Sequence, residues 1–276
     1  MAKTALVTGA SAGLGKELAH LFAADKHDLV LVARRRDRLE QLASELQASH
    51  GSKVWILPED LADPGATDRI AAELAMREID VEFLVNNAGL GTAGPFAELD
   101  LARELEVVQV NVAAVVRLTR RLLPAMIARK SGRILNMGST AGFQPGPFMA
   151  VYYASKAFMN SFSEALSFEL RGSGVTVTVC CPGATATEFA SVAGIEKSRL
   201  FRMGAMSAAD VAGQAYRAMM RGATMSIPGA RNKVLLQALR ISPRAAVRSV
   251  TAALNRSVAA AKGSAPASVL SSRSDE

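Results

Sequence analysis

Cysteine, histidine and aromatic residues are all scarce in this chain. Only two of its 276 residues are cysteine, and they are adjacent, Cys180 and Cys181, inside an apolar run. Such a pair is poorly arranged for a structural disulfide and suits a reducing compartment, so a cytoplasmic protein is expected. The three histidines, His20, His27 and His50, show no metal-ligand spacing, which leaves them structural or solvated roles and predicts no metal site. No run of 18 or more apolar residues occurs, which argues against a membrane span. The opening MAKTALVTGASAGLG reaches a glycine cluster by Gly9 without the long apolar core of a secretory signal. Aromatics make up 5% of the residues, and no basic face interleaved with groove-reading side chains is visible, so nucleic acid is not an expected partner.

Apolar residues, by contrast, are abundant. Half the chain is hydrophobic and 21% is charged, enough for a sizeable core and too apolar for global disorder. The net charge of +7 is unevenly spread. Pro228 to Glu276 holds eight Lys or Arg against two acids, or +6, and the preceding residues hold 24 against 23, or +1.

Strand-like and helix-like patterns alternate along the first 229 residues. Strands are predicted at 4–9, 28–34, 53–58, 82–89, 132–139, 175–183 and 223–229, nearly continuously apolar rather than alternating, as strands buried on both faces of a parallel sheet are. Helix-like stretches such as KELAHLFAAD and AFMNSFSEALSFELRGSG separate them. A repeated β-α-β pattern predicts an α/β, doubly wound Rossmann-type sheet of about seven strands, with its ligand site beyond the strands' carboxyl ends. Residues 1–229 read as one domain, 230–262 as a basic amphipathic helical extension and 263–276 as a disordered tail. Within the extension, Ser242-Pro243 reads as an N-cap and first-turn proline, and Val247, Val250 and Leu254 form one helical stripe. That helix would pack over its own active site or a partner subunit, with an anionic membrane surface as the alternative.

The first strand runs into TGASAGLG, with Gly9, Gly13 and Gly15 ahead of a helix. Glycines there let the backbone turn tightly and approach a pyrophosphate, whose charge a helix N-terminus favours. Further on, VYYASKA sets Tyr152 and Tyr153 before Lys156. Both tyrosines, four and three residues ahead of the lysine, share its helix face, so spacing does not choose between them as an acid/base.

TGASAGLG, NNAG at 86–89, Asn111, Ser139, Tyr152-x-x-x-Lys156 and Pro182-Gly183 follow the order and spacing of the short-chain dehydrogenase/reductase family, and the chain resembles its single-domain branch over about residues 4–229. The resemblance implies a nicotinamide-dependent oxidoreductase with Tyr152 as acid/base. It implies that Lys156 holds the nicotinamide ribose and lowers the tyrosine's pKa, that Ser139 bonds the substrate oxygen and that Asn111 anchors a water. Tyr153 is left as a packing residue. By the same carry-over the cofactor lies along Gly9, Ser11, Gly13, Leu14 and Gly15, Asp60 and Leu61, Asn87, Ala88 and Gly89, and Pro182, Gly183, Thr185 and Thr187, besides Tyr152 and Lys156. The second strand ends in Ala33-Arg34-Arg35-Arg36 with no acid before Asp37, which favours NADP(H) over NAD(H), Arg34 being the first candidate for the 2'-phosphate and Arg35 the second. Segments 90–96, 140–150 and 188–206 would wall the substrate pocket with Leu90, Phe96, Phe143, Phe148, Met149, Phe189, Leu200, Phe201, Met203 and Met206. This lining suits a hydrophobic carbonyl or the matching alcohol, while Arg199 and Arg202 would meet any acidic handle. A homodimer or homotetramer follows from the resemblance. The rival is a non-catalytic nucleotide-sensing or membrane-associated binding protein on the same scaffold.

Overall fold

The computed structural model describes residues 2–189 and 204–262. Six strands, β1 (Thr4–Thr8), β2 (Asp28–Ala33), β3 (Val54–Pro58), β4 (Val81–Asn86), β5 (Gly132–Met137) and β6 (Val175–Cys180), fall at the predicted places. Between them run α1 (Gly13–Ala24), α2 (Arg36–His50), α3 (Ala66–Met76), α4 (Leu101–Val108), α5 (Ala114–Ala128) and α6 (Ala150–Glu169). A two-residue pair, β7 (Thr185–Ala186) with β8 (Met206–Ser207), precedes α7 (Ala208–Met220), and β9 (Met225–Ser226) is the short seventh strand of the main sheet. The order is β3-β2-β1-β4-β5-β6-β9 and every pairing is parallel, which is the doubly wound Rossmann-type arrangement.

The continuous apolar runs have a simple cause. Successive side chains of a strand point to opposite faces, and here both faces are covered. Ala5, Val7, Leu29 and Leu31 enter one core with Leu18 and Phe22 of α1 and Val211 and Met219 of α7. Leu6, Val30 and Val32 enter the other with Ile70 of α3 and Leu118 and Met126 of α5. His27 belongs to this packing rather than to any metal set: its ring lies 4.8 Å from that of Phe83, and burial lowers its pKa. Among the described residues no cluster of His, Cys, Asp and Glu is placed to hold a metal ion.

Beyond β9 the chain forms α8 (Ala230–Ile241) and α9 (Arg244–Lys262). Residues 263–276, expected to be disordered, lie outside the described residues. The expected stripe on α9 is corrected. Val250 is 60% exposed, and the buried face is Val247, Thr251 and Asn255, spaced by four. The reason is the polarity of the surface below: Asn255 Nδ2 donates to the Pro147 carbonyl at 3.0 Å, and the Tyr153 hydroxyl lies 3.5 Å from Asn255 Oδ1. An apolar residue there would leave both groups unpaired. Ser242 is no N-cap either. Its hydroxyl donates back to the Ala238 carbonyl in α8, and the Pro243 carbonyl accepts the first bond of α9, from Val247 N. No helix among the described residues is long and apolar enough to cross a membrane.

The first core depends on Phe22, fully buried, whose ring meets those of Phe83 at 5.2 Å and Tyr216 edge-on at 4.9 Å. Phe22→Ala should destabilise the protein by about 3–5 kcal/mol, read as a lower midpoint in urea at unchanged slope.

Candidate active site

The strand order reverses between β1 and β4, so the connections leaving them diverge and a crevice opens at their carboxyl ends. Thr8, the last residue of β1, ties its walls together. Its hydroxyl donates to the Val85 carbonyl and accepts from the backbone N–H groups of Asn87 and Ala88. The Asn87 amide returns the bond to the Thr8 carbonyl at 2.9 Å. This close approach is why the turn needs glycine. Gly9 has φ +66°, and a Cβ on Gly15 would stand 2.2 Å from the Gly9 carbonyl oxygen. At α1 the N-cap residue Ala12 makes no side-chain cap and the first turn holds no acid, so its N–H groups face the crevice without a protein anion. Leu14 anchors the turn to the first core. Gly89, across the crevice, comes close enough to Lys156 that an added Cβ would be 3.6 Å from Nζ.

The expected catalytic side chains converge at the same end of the sheet. Ser139 lies just past β5, where its Oγ accepts from Ala141 N and sits 3.5 Å from the Pro182 carbonyl. Tyr152 and Lys156 share one face of α6, and the Ser139 side chain approaches the Tyr152 phenol closely enough to favour its ionised form. Tyr153 points elsewhere, into a small cluster with Ala93, Ala141 and Met149, its hydroxyl toward Asn255. Asn111 stands in a π-helical turn, Gln109–Ala113, between α4 and α5. Its side chain accepts from Leu90 N and donates to the Leu90 carbonyl and to Ser155 Oγ, each within 2.9 Å. Ser155 in turn donates to the Tyr152 carbonyl at 2.7 Å. Neither this bridge nor the π turn was anticipated. Ser155 carries a weak signal, three residues after Tyr152; the π turn carries none, because its cause is tertiary.

The electrostatics depart from the expectation in one respect. Burial pushes the Tyr152 phenol up to about 12, opposed by the nearby Ser139 side chain and aided by Tyr153. Burial lowers Lys156 to about 8, against a smaller opposing effect of Cys181. Burial outweighs any lowering influence in the direction of the phenol's shift; Lys156 Nζ donates to the Met137 carbonyl at 2.7 Å and lies 5.9 Å from the centre of the Tyr152 ring. Cys180 and Cys181 are buried thiols raised by desolvation, Cys181 Sγ donating to Asn160.

At the other end of the crevice Arg35 donates to Ser11 Oγ at 3.1 Å, while Arg34 lies 4.0 Å from Asp60. Asp60 Oδ1 accepts from Ala62 N, and Leu61 is buried with its carbonyl taken by Gln109. Thr187 packs against Gly13, Thr185 donates to the Gly183 carbonyl, and the Pro182 carbonyl accepts from Thr140 N. Of the expected pocket wall, Phe189 packs 5.4 Å from Tyr152, and Leu90 is partly buried against the second core. Phe96 and Phe143 are exposed, Met149 is core, Met206 packs on the first core, and Phe148 takes φ +67° beneath the Arg256 guanidinium. Arg199, Leu200, Phe201, Arg202 and Met203 lie outside the described residues.

The lowered Lys156 pKa has a signed consequence for stability. Below pH 8 a desolvated ammonium weakens the folded state; the penalty fades as pH climbs toward 10.4, where the unfolded lysine also loses its proton. The unfolding free energy of wild type relative to Lys156→Met should therefore shift in favour of wild type by up to about 3 kcal/mol across that window. A difference flat in pH would show that the ammonium is not desolvated.

Comparison with known proteins places this geometry. The family described as short chain dehydrogenase matches residues 3–197. A very-long-chain 3-oxoacyl-CoA reductase of Phaeosphaeria nodorum is 40% identical over 177 residues, 63% of this chain and 52% of that one. Sulfoacetaldehyde reductase 2 of Chromohalobacter salexigens is 39% identical over 194 residues, 70% and 76% of the two chains. The match to the first of these spans about half that relative's length. Among solved structures, a short-chain dehydrogenase from Sphingobium yanoikuyae in complex with NADPH superposes with TM-score 0.79 at 30% identity, covering 98% of each chain. A fully parallel seven-stranded sheet, a glycine turn at its switch point and a family match over most of its length together show that this chain belongs to the short-chain dehydrogenase/reductase family of oxidoreductases.

Proposed function

We propose that the protein is an NADP(H)-dependent reductase or dehydrogenase that interconverts a hydrophobic carbonyl compound and its secondary alcohol. The observation that carries this reading is the meeting of Ser139, Tyr152 and Lys156 beside the glycine turn, with the Ser139 side chain beside the Tyr152 phenol. The dinucleotide fits the crevice: the α1 N-terminus has no competing cap, the glycines leave room for close backbone approach, and Arg34 and Arg35 offer guanidinium forks for a 2'-phosphate. Arg35 is the better placed of the two, since it already reaches Ser11 within the glycine turn. The Sphingobium yanoikuyae relative, solved with NADPH, supports the same choice.

Bound there, the nicotinamide supplies or accepts the hydride. The remaining work is done by this chain. Tyr152, which keeps its proton at neutral pH, donates it to the carbonyl oxygen as negative charge develops there. Ser139 gives that oxygen a second donor. Lys156, charged below pH 8, counters the phenolate that Tyr152 becomes and holds the ribose. The Asn111 side chain joins Leu90 to Ser155, and we assign to this residue the water that returns a proton toward Lys156. Phe189, beside Tyr152, and Leu90 supply an apolar wall, and the long-chain acyl substrate in the Phaeosphaeria nodorum relative's name is consistent with one.

Two measurements test this. Tyr152→Phe should lower carbonyl reduction by roughly a hundred-fold or more while NADPH binding stays within a few-fold, and Tyr153→Phe should keep most activity. If the two mutants exchange behaviour, the tyrosine is misassigned. Arg35→Ala should raise KM for NADPH by roughly ten-fold or more, with little change for NADH. Equal effects on both cofactors would place the 2'-phosphate contact elsewhere, Arg34 being the next variant.

A further inference from the structure

Two guanidiniums that follow β2, those of Arg35 and Arg38, are both held by one carboxylate from a distant segment. Glu188 follows Thr187, two residues past β7. Its Oε2 accepts from Arg35 Nη2 at 2.9 Å, and its Oε1 accepts from Arg38 Nη1 at 2.5 Å. Arg35 Nη2 also donates to Ser11 Oγ in the glycine turn at 3.1 Å. The other two arginines of the run have carboxylates of their own: Arg34 lies 4.0 Å from Asp60, and Arg36 lies 3.8 Å from Glu40 on its own helix. Thr187 fixes the approach, since a Cβ on Gly13 would stand 3.1 Å from its methyl group. The 185–188 segment thus lies over the glycine turn and delivers its carboxylate across the crevice mouth. The Arg38 and Arg35 hydrogen bonds hold the Glu188 pKa below the usual carboxylate range, so it is an anion at neutral pH.

We propose that Glu188 is an internal counter-anion that occupies Arg35 and Arg38 where a 2'-phosphate would bind, and so sets how strongly the site prefers a 2'-phosphorylated dinucleotide. This rests on the NADP(H) reading above. Two guanidiniums bring two positive charges, and a phosphomonoester carries about −1.5 to −2 at neutral pH. Glu188 and a phosphate cannot share the pair without like-charge repulsion, so the carboxylate must leave as the phosphate enters. A 2'-hydroxyl imposes no such exchange, and a carboxylate is a suitable acceptor for it. Glu188 therefore lowers affinity for the phosphorylated cofactor selectively. All three side chains are between 41% and 47% exposed, so solvent screens the contest and its size is modest.

The test is calorimetric titration of the full-length protein and of Glu188→Gln with 2',5'-ADP and with 5'-AMP, which carry the two adenosine ends without a nicotinamide. Wild type should bind 2',5'-ADP the more tightly. Glu188→Gln should tighten 2',5'-ADP by roughly three- to ten-fold and leave 5'-AMP within about two-fold. If wild type discriminates but Glu188→Gln binds 2',5'-ADP no better, the counter-anion is overturned and the cofactor reading stands. Equal tightening of both ligands overturns it as well, as a bulk charge effect. Wild type that fails to prefer 2',5'-ADP overturns the cofactor reading, and the inference with it.

Discussion

The site hangs on the seam between the ends of β1 and β4. Thr8 holds the two strand exits together through one hydroxyl that donates once and accepts twice, and the Asn87 amide closes the loop back to Thr8. Parallel neighbours whose connections leave in opposite directions necessarily open a crevice at this point. The seam also brings the glycine turn so close to Asn87 and Ala88 that a side chain on Gly9 or Gly15 would collide with backbone. Loosening it would draw the α1 N-terminus away from Gly89 and Lys156.

Burial, more than pairing, sets the chemistry at the other end of the crevice. Tyr152 and Lys156 are moved in opposite senses by the same desolvation, the phenol kept neutral and the ammonium made easier to lose. A lysine that donates to the Met137 carbonyl is fixed in position before anything binds, and the Ser139 side chain stands beside the phenol. Preorganised donors of this kind need no rearrangement as charge develops on a substrate oxygen.

The C-terminal helices add a constraint from outside the sheet. Asn255 grips Pro147 and faces Tyr153, and Arg256 covers Phe148, so α9 rests on the 146–153 stretch that carries the second tyrosine and leads into α6. The tail's basic charge is thus borne on helices whose inner face is used within the chain. The outer face of α8 keeps Val234, Leu235 and Ile241 exposed.

Much of this could be read without a structure, for reasons of periodicity. Strands buried on both faces are nearly continuously apolar, and β1 and β2 announce themselves in that way. Glycines at a strand-to-helix turn point to close backbone approach, and the ordered motifs point to the family. Other features were not legible, because they depend on what stands opposite. Spacing left Tyr152 and Tyr153 equivalent, and only packing turns one toward Ser139 and the other toward Asn255, 102 residues away. An apolar stripe was the natural expectation for α9, but a carbonyl and a phenol beneath it demanded Asn255 instead. The arginine run after β2 is visible in one dimension; its partner Glu188 is not, since 150 residues separate it from Arg38. Local pattern determines which elements form, while the identity of each side chain's neighbour, and with it protonation and charge balance, is decided only when the sheet closes.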